Sequence, residues 1–249
     1  MQTNLNGRVA LVTGGTGAIG TAICKQLAKS GARVVATYRN AEKARAWKEK
    51  VKTDGQDIGM VEGDVTNFDS CKAMVEQVER EVGPIDILVN CAGITMDTTF
   101  RKMTPEQWRC VLATNLDSVF NVTRNVIQGM MDRGFGRVIN ISSINGQKGQ
   151  IGQSNYSAAK AGMHGFTMSL AQEVARKGVT VNTVSPGYIE TEMVMKVPEE
   201  IRKKIAAEIP VGRMGKPEEV AYVVDFLAAN EASWITGADF SVNGGHHMM

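Results

Sequence analysis

Tyr156 and Lys160 stand four residues apart in a stretch with helical periodicity, so their side chains share one face about a turn apart. Ser143 lies thirteen residues before Tyr156. A hydroxyl, a phenol and an ammonium converging beside a hydride donor are what the reduction of a ketone requires. Hydride attack turns the carbonyl oxygen into an alkoxide, which must be stabilised and then protonated. A phenol with an ordinary pKa of about 10 is a poor acid–base group at neutral pH unless a nearby cation favours its ionised form. Lys160 is the expected cation, and Ser143 the expected hydrogen-bond donor to the carbonyl oxygen. Spacing alone also admits a plainer reading, a surface tyrosine and lysine on one turn of an exposed helix.

The hydride donor is suggested by the first strand-like run. It passes directly into Thr13-Gly14-Gly15-Thr16-Gly17-Ala18-Ile19-Gly20 and then into a helical pattern. Gly15, Gly17 and Gly20 match the dinucleotide fingerprint, in which glycines allow a tight turn and bring the backbone close to a pyrophosphate at a helix N-terminus. Thr13, Gly14, Gly15, Gly17, Ala18, Ile19 and Gly20 are therefore the expected cradle. The alternative is a tight turn with no ligand. An NAD site needs an acid about 20 residues further on, but the next strand ends Ala36-Thr37-Tyr38-Arg39-Asn40. Arg39 offers a guanidinium fork for a 2′-phosphate, so NADP(H) is expected; otherwise Arg39 is a solvated loop residue. Asp64 and Val65, after the third strand, are placed to contact the adenine, with an ordinary turn carboxylate as the alternative.

Those residues need a frame, and the chain supplies one by alternation. Val9–Thr13, Val34–Thr37, Ile58–Glu62, Ile85–Asn90, Val138–Ser142 and Val179–Val184 are short runs rich in Val and Ile, with a weaker one at Asp239–Val242. They predict strands. Helices are predicted over Ile19–Ser30, Ala41–Lys52, Asp69–Val82, Pro105–Arg133 and Tyr156–Lys177, with a short piece at Glu199–Ile209. Thr104 before Pro105 reads as an N-cap with proline at the first helical position, and Asp69 as an N-cap of the same kind. Strand–helix–strand repetition demands parallel pairing with helices on both faces. Ser143 then falls at the carboxyl end of its strand, on the rim where open α/β sheets bind ligands. Nothing divides the chain, so one domain over residues 1–249 is expected. The stretch 187–217 breaks the rhythm and reads as a cover over the site, with Met193 and Met195 placed to touch an acyl chain.

Composition limits the alternatives. The 249 residues carry 28 Lys and Arg against 26 Asp and Glu, a net charge of +2, which argues against a nucleic-acid or membrane-surface partner. The basic stretch Lys43–Lys52 around Trp47 reads as an exposed helix face. No apolar run approaches the ~18–20 residues of a membrane span, and Met1–Gly7 is polar, so a cytoplasmic protein is expected. Cys24, Cys71, Cys91 and Cys110 have no zinc or disulfide spacing, and His164, His246 and His247 are too few and scattered for a metal site.

Tyr156-Ser157-Ala158-Ala159-Lys160, Ser143, the glycine loop, Asn90-Cys91-Ala92-Gly93 and Pro186-Gly187 together resemble the short-chain dehydrogenase/reductase family over essentially the whole chain. The resemblance implies a single-domain, Rossmann-type, doubly wound α/β fold with a seven-stranded parallel sheet, assembled as a homotetramer through its long helices. It implies Tyr156 as general acid, Lys160 also on the nicotinamide ribose, and Asn115 where a distorted helix holds a relay water. Asn90, Ala92, Gly93, Pro186, Gly187 and Ile189 would line the nucleotide site. Two positions depart from the family pattern: Ala18 stands at a glycine position and Cys91 replaces an asparagine.

Within the family, the segments Gly93–Asp97, Phe100–Met103, Asn145–Gln153, Ser185–Tyr188, Gly237–Ser241 and Asn243–Gly245 resemble those of bacterial acetoacetyl-CoA reductases of polyhydroxybutyrate synthesis. That implies NADPH-dependent reduction of acetoacetyl-CoA to (R)-3-hydroxybutyryl-CoA, with Asp97, Gln150, Gln153 and Tyr188 lining the acyl pocket beside Ser143 and Tyr156. Each glutamine also has a plain reading as loop surface. The rival is a 3-oxoacyl-[acyl-carrier-protein] reductase. Arg101, Lys102, Arg202, Lys203 and Lys204 would serve CoA phosphates or an acidic carrier equally. An NADP(H)-binding sensor or scaffold without catalysis is the alternative from another class.

Overall fold

The computed structural model describes residues 3–55, 57–191, 194 and 197–248. Seven parallel strands form one sheet in the order β3-β2-β1-β4-β5-β6-β7. They are β1 (Val9–Thr13), β2 (Arg33–Tyr38), β3 (Gly59–Glu62), β4 (Ile87–Asn90), β5 (Gly136–Ile141), β6 (Val179–Pro186) and β7 (Asp239–Val242). The helices are α1 (Ala18–Lys29), α2 (Ala41–Thr53), α3 (Phe68–Glu81), α4 (Pro105–Leu112), α5 (Ser118–Arg133), α6 (Ile144–Lys148), α7 (Ser154–Val174), α8 (Glu199–Glu208) and α9 (Pro217–Ala228).

The central strands are apolar throughout because both faces are covered. Ala10, Val12, Ile87, Val89, Ile139 and Ile141 face the layer containing Ile23 and Leu27 of α1 and Val220, Val224 and Leu227 of α9. Val9, Leu11, Leu88 and Val138 face the opposite layer, built from Met74 and Val78 of α3, Val122 and Met130 of α5 and Val174 of α7. Period-two alternation therefore partitions the strand side chains between two cores.

The structure corrects the sequence expectations in three places and extends one. The stretch 105–133 is not one continuous helix: a π-turn at Ala113–Asp117 separates α4 from α5. It keeps the apolar face in line, so periodicity does not reveal it. The N-cap of α3 is Asn67, whose side chain accepts from Ser70 N; Asp69 sits in the first turn instead. Two helices, α6 and α9, lie outside the stretches predicted as helical. At Thr104 the expected cap is a full capping box with Gln107, and Pro105 opens the helix.

Candidate active site

β1 and β4 are neighbours in the sheet, yet the chain runs from β1 toward one edge and from β4 toward the other. A crevice opens at their carboxyl ends, the switch point of a doubly wound sheet. Thr13 closes its floor. Its hydroxyl accepts from Cys91 N at 3.0 Å and Ala92 N at 3.2 Å, tying the glycine loop to the segment after β4.

The loop leaves space where a pyrophosphate would need it. A Cβ on Gly20 would stand 2.2 Å from Gly14 O and one on Gly15 would meet the Ala36 Cβ at 2.6 Å, so chain packing requires both glycines. A Cβ on Gly17 would meet only Gly14 O, at 3.4 Å. Gly17 is the N-cap of α1 without a side-chain cap, and no acid sits in the first turn. The first N–H groups of α1 thus face an open cradle with no anion of the protein's own, which fits a dinucleotide phosphate. Ala18 is exposed, so its methyl does not disturb the loop's packing.

At the end of β2, Arg39 is exposed and its charge helps to hold the Asp64 carboxyl below the usual range, after the hydrogen bonds from Thr66. Asp64 Oδ1 accepts from Thr66 N at 2.9 Å and Thr66 Oγ1 at 2.7 Å. The side chains of Val65 and Asn90 are turned into the interior. Val65 belongs to the core, and Asn90 Nδ2 donates to Asn140 Oδ1 at 2.9 Å and Thr123 Oγ1 at 3.1 Å. Pro186 ends β6, Gly187 N donates to Val242 O at 2.9 Å, and Ile189 is buried beneath the loop.

Ser143, Tyr156, Lys160 and Asn115 converge beside this crevice. Ser143 follows β5 and caps α6, its hydroxyl accepting from Asn145 N at 3.1 Å and lying close enough to the Tyr156 phenol to act on its ionisation. Lys160 is buried, its Nζ donating to Ile141 O at 2.7 Å and lying 5.6 Å from the Tyr156 ring centroid. A Cβ on Gly93 would meet Asn115 Oδ1 at 2.6 Å and Lys160 Nζ at 3.6 Å, so the segment after β4 runs directly over both. Asn115 lies in the π-turn with its side chain fully buried. It donates to Val111 O at 2.8 Å and Ile94 O at 2.9 Å and accepts from Ile94 N at 3.2 Å.

The electrostatics differ from the sequence expectation. Burial pushes the Tyr156 phenol up to about 12, overriding the lowering effect of Ser143. Burial also brings the Lys160 ammonium down to about 8. Desolvation is the dominant influence on both groups. The result is a phenol that keeps its proton at neutral pH, the state a proton donor needs.

Of the residues expected at the acyl pocket, Asp97 lies within electrostatic reach of both Tyr156 and Tyr188. Gln153 is locked in place, donating to Asp97 Oδ2 at 2.8 Å and accepting from Asn145 Nδ2 at 2.8 Å. Gln150 is exposed and lies on the turn whose carbonyl accepts from Gln153 N. Tyr188 stacks on His246 of the C-terminal segment, centroids 5.7 Å apart. Met193 and Met195 lie outside the described residues. Within the expected segment Asn145–Gln153 the sequence assigns no role to Asn145, which bridges to Gln153, or to Gly146, where a Cβ would meet the Lys160 backbone at 2.9 Å, and it gives no hint of His246 behind Tyr188. Among the described residues no group of three or more His, Cys, Asp or Glu side chains is arranged to hold a metal ion.

The profile of the family described as short chain dehydrogenase matches residues 8–202. The chain is 57% identical over 243 residues to a protein of Allochromatium vinosum named acetoacetyl-CoA reductase, covering 97% of this chain and 99% of that one. It is 58% identical over 242 residues to a protein of the same name from Cupriavidus necator, covering 97% and 98%. A Vibrio cholerae protein named 3-oxoacyl-[acyl-carrier-protein] reductase is 46% identical over 246 residues, covering 99% and 100%.

Proposed function

The chain belongs to the short chain dehydrogenase family, and on that premise we propose that it reduces acetoacetyl-CoA to (R)-3-hydroxybutyryl-CoA with NADPH. The observation that carries the reading is the buried Lys160 ammonium, held by Ile141 O and 5.6 Å from the Tyr156 ring, beside Ser143 at the edge of the glycine cradle. The similarity to two proteins named acetoacetyl-CoA reductase supports the choice of substrate.

In this reading the uncapped α1 terminus and the glycine loop hold the pyrophosphate, and Arg39 pairs with a 2′-phosphate. Asp64 faces the adenine end, and the Gly93 and Pro186–Ile189 segments flank the nicotinamide end. Bound NADPH would supply the hydride. Ser143 hydrogen-bonds the substrate carbonyl oxygen and stabilises the charge that develops there. Tyr156, kept protonated by burial, gives that oxygen its proton. Lys160 orients the ribose and adds positive charge under the phenol, and Asn115 in the π-turn is the station for a relay water. Asp97, Gln150, Gln153 and Tyr188 orient the thioester side of the substrate.

Residues 1–249 then act as one reductase domain, with 187–217 as its cover. Exposed Phe120 on α5 and Met168 on α7 support a homotetramer joined through those helices. Four free cysteines are consistent with the cytoplasm, and a role in polyhydroxybutyrate synthesis follows from the product. No nucleic-acid or membrane partner is part of this reading, and no helix among the described residues is long and apolar enough to cross a membrane. Steady-state assays with acetoacetyl-CoA and acetoacetyl carrier protein test the substrate. A preference for the CoA thioester is expected. A large preference for the carrier-bound form would instead make the chain a 3-oxoacyl-[acyl-carrier-protein] reductase.

A further inference from the structure

Tyr156, Lys160, His164 and Thr167 follow one another at spacings of four, four and three along α7, forming a polar stripe that faces the ends of β5 and β6. The first two have roles in the proposed reaction. His164 has none, yet it is the centre of a polar cluster. Its Nε2 lies 2.9 Å from Ser142 Oγ, 3.4 Å from Ser185 Oγ and 3.6 Å from Asp239 Oδ2. Ser142 and Ser185 are buried at the carboxyl ends of β5 and β6, and Asp239 opens β7.

Proton counting fixes the directions. Ser142 Oγ donates to Lys160 O at 2.9 Å, and Ser185 Oγ donates to Asp239 Oδ1 at 2.7 Å. Each hydroxyl has one proton, so the imidazole Nε2 must be the donor, and its single N–H goes to Ser142 at 2.9 Å, with Ser185 at 3.4 Å no more than a weak second branch. A histidine that donates to serine cannot activate it as a nucleophile, so the cluster is not a hydrolytic triad despite its composition. Gln147 Nε2 braces Asp239 Oδ2 and Ser241 Oγ, each at 2.7 Å, which ties α6 into the same cluster.

The chain of donors ends on the backbone of Lys160. That residue is gripped at its carbonyl by Ser142 Oγ and at its ammonium by Ile141 O, two consecutive residues of one strand end. We propose that His164 is a positioning residue for the reduction: its Nε2–H, acting through Ser142, sets the height of α7 against β5 and so the placement of Lys160 and Tyr156 relative to Ser143. Asp239 and Ser185 hold the imidazole for that task. The proposal rests on the reductase reading above.

The test uses His164→Gln, His164→Asn, His164→Leu and Ser142→Ala in the full-length protein. Each is measured for kcat and KM with acetoacetyl-CoA, NADPH affinity by fluorescence titration, and Tm. A glutamine amide nitrogen can stand where Nε2 stands; an asparagine cannot reach. His164→Leu and His164→Asn should lose about tenfold or more in kcat, with NADPH affinity changed by less than about threefold, as expected when reacting groups are displaced by a fraction of an ångström. His164→Gln should recover to within about threefold of wild type. Ser142→Ala should match His164→Leu, and combining the two should cost little more than either. Equal kcat in all the variants, losses that follow Tm regardless of the donor, or additive effects of Ser142→Ala and His164→Leu would each overturn the proposal. Tyr156→Phe is the control: if it turns over like wild type, the reductase reading itself falls and this assignment falls with it.

Discussion

Lys160 Nζ stands 5.6 Å from the centroid of the Tyr156 ring, one helical turn away, while its hydrogen bond goes to Ile141 O at the end of β5. The strand thereby holds the ammonium under the phenol instead of leaving it to follow the nucleotide or solvent. Burial then acts in opposite directions on the two groups, because it disfavours the charged form of each.

The pH dependence follows from that opposition. In the free enzyme Lys160 loses its proton near pH 8, and Tyr156 keeps its own to about 12. The ammonium is therefore present below pH 8 and is lost as pH rises through it, while the phenol stays protonated. The value of kcat/KM for NADPH, which reports the free enzyme, should fall above about pH 8 in the direction of reduction. A profile flat to pH 10 would remove Lys160 from the account.

Arg39→Ala separates the two nicotinamide dinucleotides. A charge-assisted hydrogen bond to a 2′-phosphate contributes about 1.5–3 kcal/mol, so the NADPH dissociation constant should rise roughly ten- to hundredfold. That for NADH should hardly move. Equal effects on both, measured by fluorescence titration, would take the 2′-phosphate contact away from Arg39.

The glycine loop makes a paired prediction. In Gly20→Ala the new methyl meets Gly14 O at 2.2 Å, and overpacking of this kind costs about 1–3 kcal/mol or more, so Tm should fall by several degrees. Gly17→Ala meets only Gly14 O at 3.4 Å and should lower Tm by less than Gly20→Ala, chiefly through the poorer N-cap, yet weaken NADPH binding about tenfold by filling the cradle. Thermal scans with and without nucleotide distinguish the two; a Gly17→Ala protein that binds NADPH normally would relocate the phosphates.

Much of this was legible before any coordinates. Val9–Thr13 and Asp239–Val242 were bounded correctly from apolar runs alone, and Thr104 and Pro105 marked the start of α4. The remainder depended on contacts far apart in sequence. The π-turn at Asn115 leaves the apolar period intact, and the Asn115 side chain contacts Ile94, 21 residues away in sequence. α6 is five residues long, too short for any period to show. α9 carries its own local signals, Pro217 at its first position, Glu218 and Glu219 in the first turn, then buried Val220, Ala221, Val224 and Leu227. Asn90 reads as part of a nucleotide motif, but its side chain faces Asn140 and Thr123 in the interior. The stacking of His246 on Tyr188 joins the C-terminal segment to the segment after β6 through tertiary packing alone.

The most direct test of the account is turnover by Tyr156→Phe, which keeps the ring and its packing and removes only the transferable proton. With acetoacetyl-CoA and NADPH, kcat should fall about 10²- to 10⁴-fold while NADPH affinity stays within a few-fold. Turnover near the wild-type rate, with the same 3-hydroxyacyl product, would contradict the assignment of Tyr156 as the proton donor.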